Sequence, residues 1–155
     1  MPSLDATLYA YAKQHLPSLP KIYTWKFDEN VVFHAFGLNI NGQNWYEKTR
    51  LLKRSIANQW IASPEQRIAL AGYVVRVWGG VKRNAAKTIE GYVDTVSHGQ
   101  LPPTFKGIAS WSKVLAFSNP QSHAIFDARL FFLKCSSNAP GKRREMLVPV
   151  ASWAE

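Results

Sequence analysis

Apolar residues in the middle of this chain recur every three to four positions, the period of an α-helix that is buried on one face. From about Gln43 to Trp60 the recurring residues are Trp45, Thr49, Leu52, Ile56 and Trp60. A second helix is expected to end at about Trp78, before two glycines. Its start is marked by an N-cap residue, a proline in the first helical position and a capping-box glutamine: Ser63, Pro64 and Gln66. The pattern therefore predicts two consecutive amphipathic helices.

The remaining segments extend this helical pattern. A helix is predicted from about Arg83 to Ser97, with its inward face formed by Ala86, Ile89, Val93 and Val96. Shorter helices are predicted before Pro17, from about Ala109 to Phe117, and after Asp127, which can cap the last one. Residues 31–36 fit either a short buried helix or a strand. Five or six helices with short connections predict an all-α fold, in which residues 1–155 form one domain and residues 138–155 a loosely held basic tail.

The charge balance favours an anionic partner. The chain has 19 Lys and Arg against 10 Asp and Glu, a net charge of +9. Nine of the cations fall between Lys48 and Lys87, where Glu65 is the only acid, and a second group is formed by Lys142, Arg143 and Arg144. Such an excess attracts phosphate backbones and gives salt-sensitive binding, although it also fits general solubility or adhesion to acidic membranes. We take nucleic acid as the expected partner.

Several classes of protein and site are disfavoured. A single cysteine, Cys135, rules out an intramolecular disulfide, a multi-cysteine zinc site and a four-cysteine iron–sulfur cluster. The spacing of His34, His98 and His123 suggests no metal site, so neither a metal nor a cofactor is expected. Residues 1–5 lack the features of a signal peptide, and no apolar stretch reaches bilayer length. The expected location is therefore cytoplasmic and nucleoid-associated, with no membrane and no obligate protein partner.

Four features follow one another in a set order between Trp78 and Leu130. The first is a glycine turn followed by a basic helix start, Trp78–Ile89, and the second is the end of that helix, His98–Pro102. The third is a short loop that contains a glycine, Phe105–Ala109. The fourth is an apolar segment that leads to an aspartate, Ala124–Leu130. In this order they resemble the helix-hairpin-helix DNA glycosylase superfamily, which includes endonuclease III and the 8-oxoguanine glycosylases. The resemblance covers roughly residues 43–135. It implies a compact helical glycosylase-like domain with a degenerate hairpin.

The hairpin of that family reads leucine-proline-glycine-valine-glycine, and the resemblance places it at Phe105–Ala109. Gly107 permits a tight turn whose N–H groups can point at a DNA phosphate next to a helix start. Lys106 replaces the proline and can contact a phosphate directly, whereas Ala109 replaces the second glycine, so a shortened or reshaped loop is expected. The other DNA-binding residues expected are Lys82, Arg83, Lys87 and Arg129.

The resemblance also implies two catalytic residues. Asp127 matches the essential aspartate of the family, whose carboxylate stabilises the oxocarbenium-like sugar or orients the attacking group; an aspartate there also fits a simple helix cap. Lys113 is the candidate for the lysine that forms a Schiff base in bifunctional members. An ungapped count from Gly107 puts Trp111 in the lysine position. Either the hairpin is rearranged and Lys113 is the nucleophile, or the enzyme is monofunctional and uses activated water.

Glycosylases extrude a base and fill the gap that it leaves. Gln43 or Asn44 is expected to wedge into the duplex or to read the partner base, and Trp45 or Tyr46 to stack on the extruded base. The alternative is that these aromatic rings, like most of the 20 in the chain, belong to the core.

Three functions are compatible with the sequence. The first is a DNA N-glycosylase for damaged or modified bases, with or without a lyase step, which suits base excision repair or phage defence against modified foreign DNA. The second is a non-catalytic duplex-DNA-binding module of the same fold. The third is a small basic RNA-binding protein, although nothing resembles the common RNA-binding signatures.

Overall fold

The structure is a computed structural model that describes residues 4–100 and 107–125. All regular secondary structure in these two ranges is helical, so the all-α prediction is confirmed there. The α-helices are α1 (Leu4–His15), α2 (Leu19–Ile22), α3 (Glu29–Phe36), α4 (Trp45–Ala62), α5 (Arg67–Gly72), α6 (Ala86–Ser97) and α7 (Ile108–Ser118). Two 3₁₀ turns, Leu16–Ser18 and Pro64–Gln66, precede α2 and α5, and a π-helical segment, Tyr73–Trp78, follows α5.

The chain packs as two compact units, Met1–Ser55 and Ile56–Glu155, and α4 contributes residues to both. The predicted tail, the final helix after Asp127 and the connector at Pro102 lie outside the described residues.

In the first unit, the segment that fitted either a helix or a strand is the helix α3. The Asp28 carboxylate caps it by accepting hydrogen bonds from the N–H groups of Asn30 (2.9 Å) and Val31 (3.4 Å). Val32 is fully buried, whereas Val31 and Phe33 are exposed. The expectation of a buried segment was therefore wrong for part of this helix, because only one of its faces meets the core.

Helix α4 confirms the predicted helical periodicity. Its positions Thr49, Leu52, Ile56 and Trp60 are buried, and Trp45 at its start is half-buried. Two hydrogen bonds from side chain to backbone fix the start of the helix. The Asn44 Oδ1 atom accepts from the Glu47 N–H at 2.9 Å, and the Glu47 carboxylate accepts from the Gln43 N–H at 2.9 Å.

The capping box predicted at Ser63 does not form. Pro64 does occupy the first position of a helical turn, but that turn is 3₁₀, and the Ser63 side chain makes no capping hydrogen bond. Ser63 has φ −133° and ψ 78°, and Gln66 instead accepts a hydrogen bond from the Gln59 side chain at 2.5 Å. The α-helix proper starts only at Arg67.

The core of the second unit lies where α5, the π-helical segment, α6 and α7 pack against one another. Its largest fully buried side chains are Ile56, Leu70, Val74, Val75, Ile89, Val114 and Phe117. Each such apolar side chain stabilises the fold by about 1.5–3 kcal/mol relative to leaving it in water. Trp78 packs edge-to-face on Phe117 with ring centroids 4.8 Å apart, which joins the end of the π-helical segment to α7.

Helix α6 starts later than predicted, at Ala86 rather than Arg83, and one predicted inward residue is wrong. Ile89 is buried and Val93 and Val96 are half-buried, but Ala86 is exposed. Ala86 is the first residue of the helix, and its preceding cap residue, Ala85, still has extended backbone. The first turn of α6 therefore lies outside the core, and the apolar periodicity of the sequence does not indicate this.

Gly79 follows the π-helical segment at a point where no side chain fits. A Cβ there would lie 2.7 Å from Lys113 Cδ and 2.8 Å from the carbonyl oxygens of Val74 and Val75. Two of these three neighbours are backbone atoms, which cannot move without disturbing the π-helical turn. The residue is glycine because of this close approach.

We expect Gly79→Ala to destabilise the protein by about 1–3 kcal/mol, the usual cost of overpacking. Gly91→Ala in α6 is the matched control, because a Cβ there meets nothing within 4 Å. That control should be stabilised by about 0.5–1 kcal/mol, because alanine has the higher helix propensity. Urea unfolding followed by circular dichroism measures both, and equal effects of the two substitutions would contradict the packing explanation.

Candidate functional site

Gly107 forms the turn that starts α7. It has φ +77°, a left-handed conformation, and its carbonyl accepts hydrogen bonds from the N–H groups of Ser110 (2.9 Å) and Trp111 (3.0 Å). A Cβ at this position would lie only 2.5 Å from the Tyr92 hydroxyl on α6. Both the backbone angle and this contact require glycine. The positive φ that the predicted turn needs is present at Gly107, and the contact of this residue with a DNA phosphate stays a prediction.

Ala109 lies within α7 and is half-buried. No residue other than glycine has positive φ in the described ranges, so Ala109 does not take the place of the family's second hairpin glycine as a left-handed residue. The helix starts at Ile108, directly after Gly107, and the shortened or reshaped loop stays a prediction. Lys106, at the preceding position, lies outside the described residues.

Lys113 is a buried lysine, with only 9 % of its surface exposed. It lies in the middle of α7, and its Nζ atom donates a hydrogen bond to the Ala109 carbonyl at 2.6 Å. Its aliphatic stem lies against Gly79, as the close approach of Cδ to that backbone shows. Lysine is almost never buried without polar partners, because the ammonium loses its hydration. The fold therefore holds one amine in a fixed, largely dehydrated position.

Trp111 occupies the position that an ungapped count assigns to the family's lysine, but it is a core residue with 6 % of its surface exposed. Because Trp111 carries no amine, the choice between Lys113 as nucleophile and a monofunctional enzyme that uses activated water stays a prediction. A second lysine, Lys53 on α4, is half-buried, and burial lowers the pKa of its ammonium. Lys113 is the more deeply buried of the two.

Three of the predicted DNA-binding cations lie in the described part of the second unit and are accessible. Lys82, Arg83 and Lys87 are all exposed, on the turn between the π-helical segment and α6 and on the first turn of α6 itself. Arg76 Nε donates a hydrogen bond to the Asn84 carbonyl at 3.1 Å and so ties this turn to the π-helical segment. No pattern in the sequence indicates this contact, because Arg76 is one of many similar cations.

The four residues predicted as base pocket or wedge belong to the first unit. Gln43 is exposed, whereas the Asn44 side chain caps α4, so inserting it into a duplex would break that cap. Trp45 and Tyr46 are half-buried and make aromatic and cation–π contacts within their own unit. They are thus neither free surface residues nor fully buried core residues.

Asp127 and Arg129 lie outside the described residues, so no geometry supports or opposes their predicted roles. In the described ranges no three His, Cys, Asp or Glu side chains come close enough together to hold a metal ion. Over the same ranges, no helix has the length and apolar character that crossing a membrane requires.

No protein-family model matches the chain, and neither a curated protein nor a solved structure matches it.

The contact between Gly107 and Tyr92 predicts a coupled pair of substitutions. Gly107→Ala should destabilise the protein by at least about 1–2 kcal/mol, the cost of a left-handed alanine, with the clash against the hydroxyl in addition. Tyr92→Phe removes the atom at 2.5 Å and leaves the next one at 3.6 Å, so it should relieve the clash but not the backbone strain. A double-mutant cycle on unfolding free energies measures this, and strictly additive effects would contradict the contact.

The exposed cations predict a salt-dependent affinity for duplex DNA. Replacing Lys82, Arg83 and Lys87 together with alanine should weaken binding and lower the slope of log K against log salt by about 0.9 for each lost phosphate contact. The charge-matched control replaces three exposed cations of the first unit, Lys13, Lys21 and Arg54. Fluorescence anisotropy across a salt series compares them. An equal loss in both triple variants would mean that only net charge matters.

Proposed function

We propose that this chain is a DNA N-glycosylase that extrudes a damaged or modified base from duplex DNA and cleaves its N-glycosidic bond, with Lys113 as the attacking amine. The observation that carries the proposal is the buried Lys113 amine on α7, the helix that begins at the Gly107 turn. A helix that follows a glycine turn is where the resemblance to helix-hairpin-helix glycosylases expects the nucleophilic lysine.

The chemistry requires a neutral amine aimed at the sugar. The Lys113 nitrogen attacks C1′ of the deoxyribose, the electron pair of the N-glycosidic bond leaves with the base, and the base gains a proton. Opening of the sugar ring and loss of the remaining proton from nitrogen then give a Schiff base. The Lys113 amine donates a hydrogen bond to the Ala109 carbonyl, and its ammonium form must lose a proton before the nitrogen can attack the sugar carbon. In this proposal Asp127 is the carboxylate that stabilises the positive charge developing on the sugar.

Binding to the duplex is assigned to the backbone of the second unit and its exposed cations. The first N–H groups of any α-helix have no intrahelical acceptor, and those of α7 follow a turn that only glycine can form. Lys82, Arg83 and Lys87 add charge that contacts phosphates without reading sequence. Such contacts suit an enzyme that must search DNA of any sequence.

One observation favours the second candidate, a non-catalytic DNA-binding module. The Lys113 hydrogen bond ends on a carbonyl of its own helix, and a lysine held in this way also serves as a purely structural residue. In that case the basic turn and α7 would still bind DNA, but no base would be released.

Borohydride trapping on duplexes that carry an abasic site or a panel of damaged and modified bases distinguishes the two. We expect a covalent adduct with the unmodified protein and none with Lys113→Met, which keeps the aliphatic stem but lacks the amine. Lys53→Met is the matched control, because it removes another partly buried lysine, and it should leave the adduct intact. Circular dichroism verifies that each variant is folded.

Other outcomes have definite meanings. Adduct loss in Lys53→Met alone would move the nucleophile to α4 and contradict the role of Lys113. Base release revealed by alkali without any adduct, and lost in Asp127→Asn, would indicate a monofunctional enzyme that uses water. Neither signal, with duplex binding intact, would favour the binding module.

A further inference from the structure

Two neighbouring aromatic rings at the start of α4 are each contacted by a cation. The Trp45 ring has Lys48 Nζ at 4.7 Å and Lys26 Nζ at 5.9 Å from its centroid. The Tyr46 ring has the Arg50 guanidinium carbon at 5.7 Å. We call these five residues the aromatic–cationic face. All of them belong to the first unit.

Each of the two rings packs against another aromatic residue of the same unit. Buried Phe27 meets Trp45 edge-to-face with centroids 5.7 Å apart, and half-buried Tyr23 meets Tyr46 at 6.0 Å. Edge-to-face contacts fix the plane of each ring. Both rings nevertheless stay partly exposed, so they are held rigidly without being enclosed.

The cations of the face differ in their freedom. Lys48 is fixed, because its Nζ lies 2.6 Å from a Glu29 carboxylate oxygen and its backbone and Cγ lie directly against Gly42. Lys26 and Arg50 are exposed, and both lie near the outer limit of about 6 Å for a cation–π contact. Within the part of the chain that the structure describes, neither makes an ion pair with a carboxylate. They can therefore leave the rings to bind an anion.

A cleft of about 340 Å³ adjoins the face and shares Lys48 with it. Its other lining residues are Glu29, Ile40, Asn41, Gly42 and Gln43. The cleft is open to solvent, and its lining places hydrogen-bonding groups next to the face.

We propose that the aromatic–cationic face binds an unpaired nucleic-acid strand, with Trp45 and Tyr46 stacking on bases and Lys26 and Arg50 contacting the flanking phosphates. In a duplex the faces of the bases are stacked on each other, so only an unpaired strand presents them to an aromatic side chain. Rigid aromatic rings flanked by mobile cations are the combination that binds single strands without sequence preference. The proposal shares Trp45 and Tyr46 with the base-stacking role that the resemblance implies, but it involves neither Lys113 nor Asp127, so strand binding can be tested without base release.

Anisotropy titrations at matched salt with a 5′-labelled oligo(dT) and a base-free strand of equal length and charge test the proposal. The unmodified protein should bind oligo(dT) about tenfold more tightly or better, because each stacked base contributes on that scale. Trp45→Leu and Tyr46→Leu, verified as folded by circular dichroism, should lower the affinity for oligo(dT) to that for the base-free strand. Equal affinity of the unmodified protein for the two strands would overturn the proposal.

The double variant Lys26→Ala with Arg50→Ala tests the phosphate contacts without touching the core. Its control, Lys21→Ala with Arg54→Ala, removes the same charge from exposed positions of the same unit. We expect the first pair to weaken oligo(dT) binding severalfold more than the second, and equal losses would overturn the assignment of these contacts. An oligo(rU) strand of the same length separates the two sources of such a ligand. Comparable affinity for oligo(rU) and oligo(dT) would show that the face binds unpaired strands of RNA and DNA alike, and weaker affinity for oligo(rU) would show that it prefers DNA.

Discussion

Lys113 lies with its stem against the backbone of Gly79, and the arrangement of the second unit depends on this contact. The π-helical segment widens the end of α5 and brings Gly79 to α7. Trp78, the last residue of that segment, packs on Phe117 at the far end of α7. The amine of a buried lysine is therefore held from two directions: its stem by the glycine backbone and its Nζ by the Ala109 carbonyl. π-helical turns are frequent at functional sites, and here such a turn provides space for an ionisable side chain.

Two groups of cations in the described ranges lie in chemically different settings. In the second unit, Lys82, Arg83 and Lys87 are exposed on a turn and a helix start, where they can approach any phosphate backbone. In the first unit, Lys26, Lys48 and Arg50 lie over aromatic rings. Net charge alone does not distinguish these settings, but they favour different ligands, because the setting in the first unit combines its cations with partly exposed aromatic rings on which a base can stack.

Apolar periodicity predicted α4 and α7 to within two residues, since burial of one face marks the phase of each helix. It did not predict α2, and it left α3 open between a helix and a strand. It failed where a local backbone angle decides the outcome, as at Ser63, whose φ and ψ place its hydroxyl away from the helix start. The candidate site was only partly predictable. Gly107 was predictable because a position with positive φ favours glycine, which is visible in the sequence. The contact between Gly79 and Lys113 joins residues that are distant in the chain, and no sequence pattern indicates it.

The two proposed activities would support each other energetically. Extruding a base costs a few kcal/mol, because the base loses its stacking and its pairing, and its partner strand is left partly unpaired. Stacking of unpaired bases on an aromatic surface stabilises the complex by about 1–3 kcal/mol per base, which is comparable to that cost. A chain with one duplex-binding unit and one strand-stacking surface would then stabilise the opened DNA rather than the closed duplex. Because Trp45 and Tyr46 are held by Phe27 and Tyr23 before any ligand arrives, little ordering entropy would oppose this stabilisation.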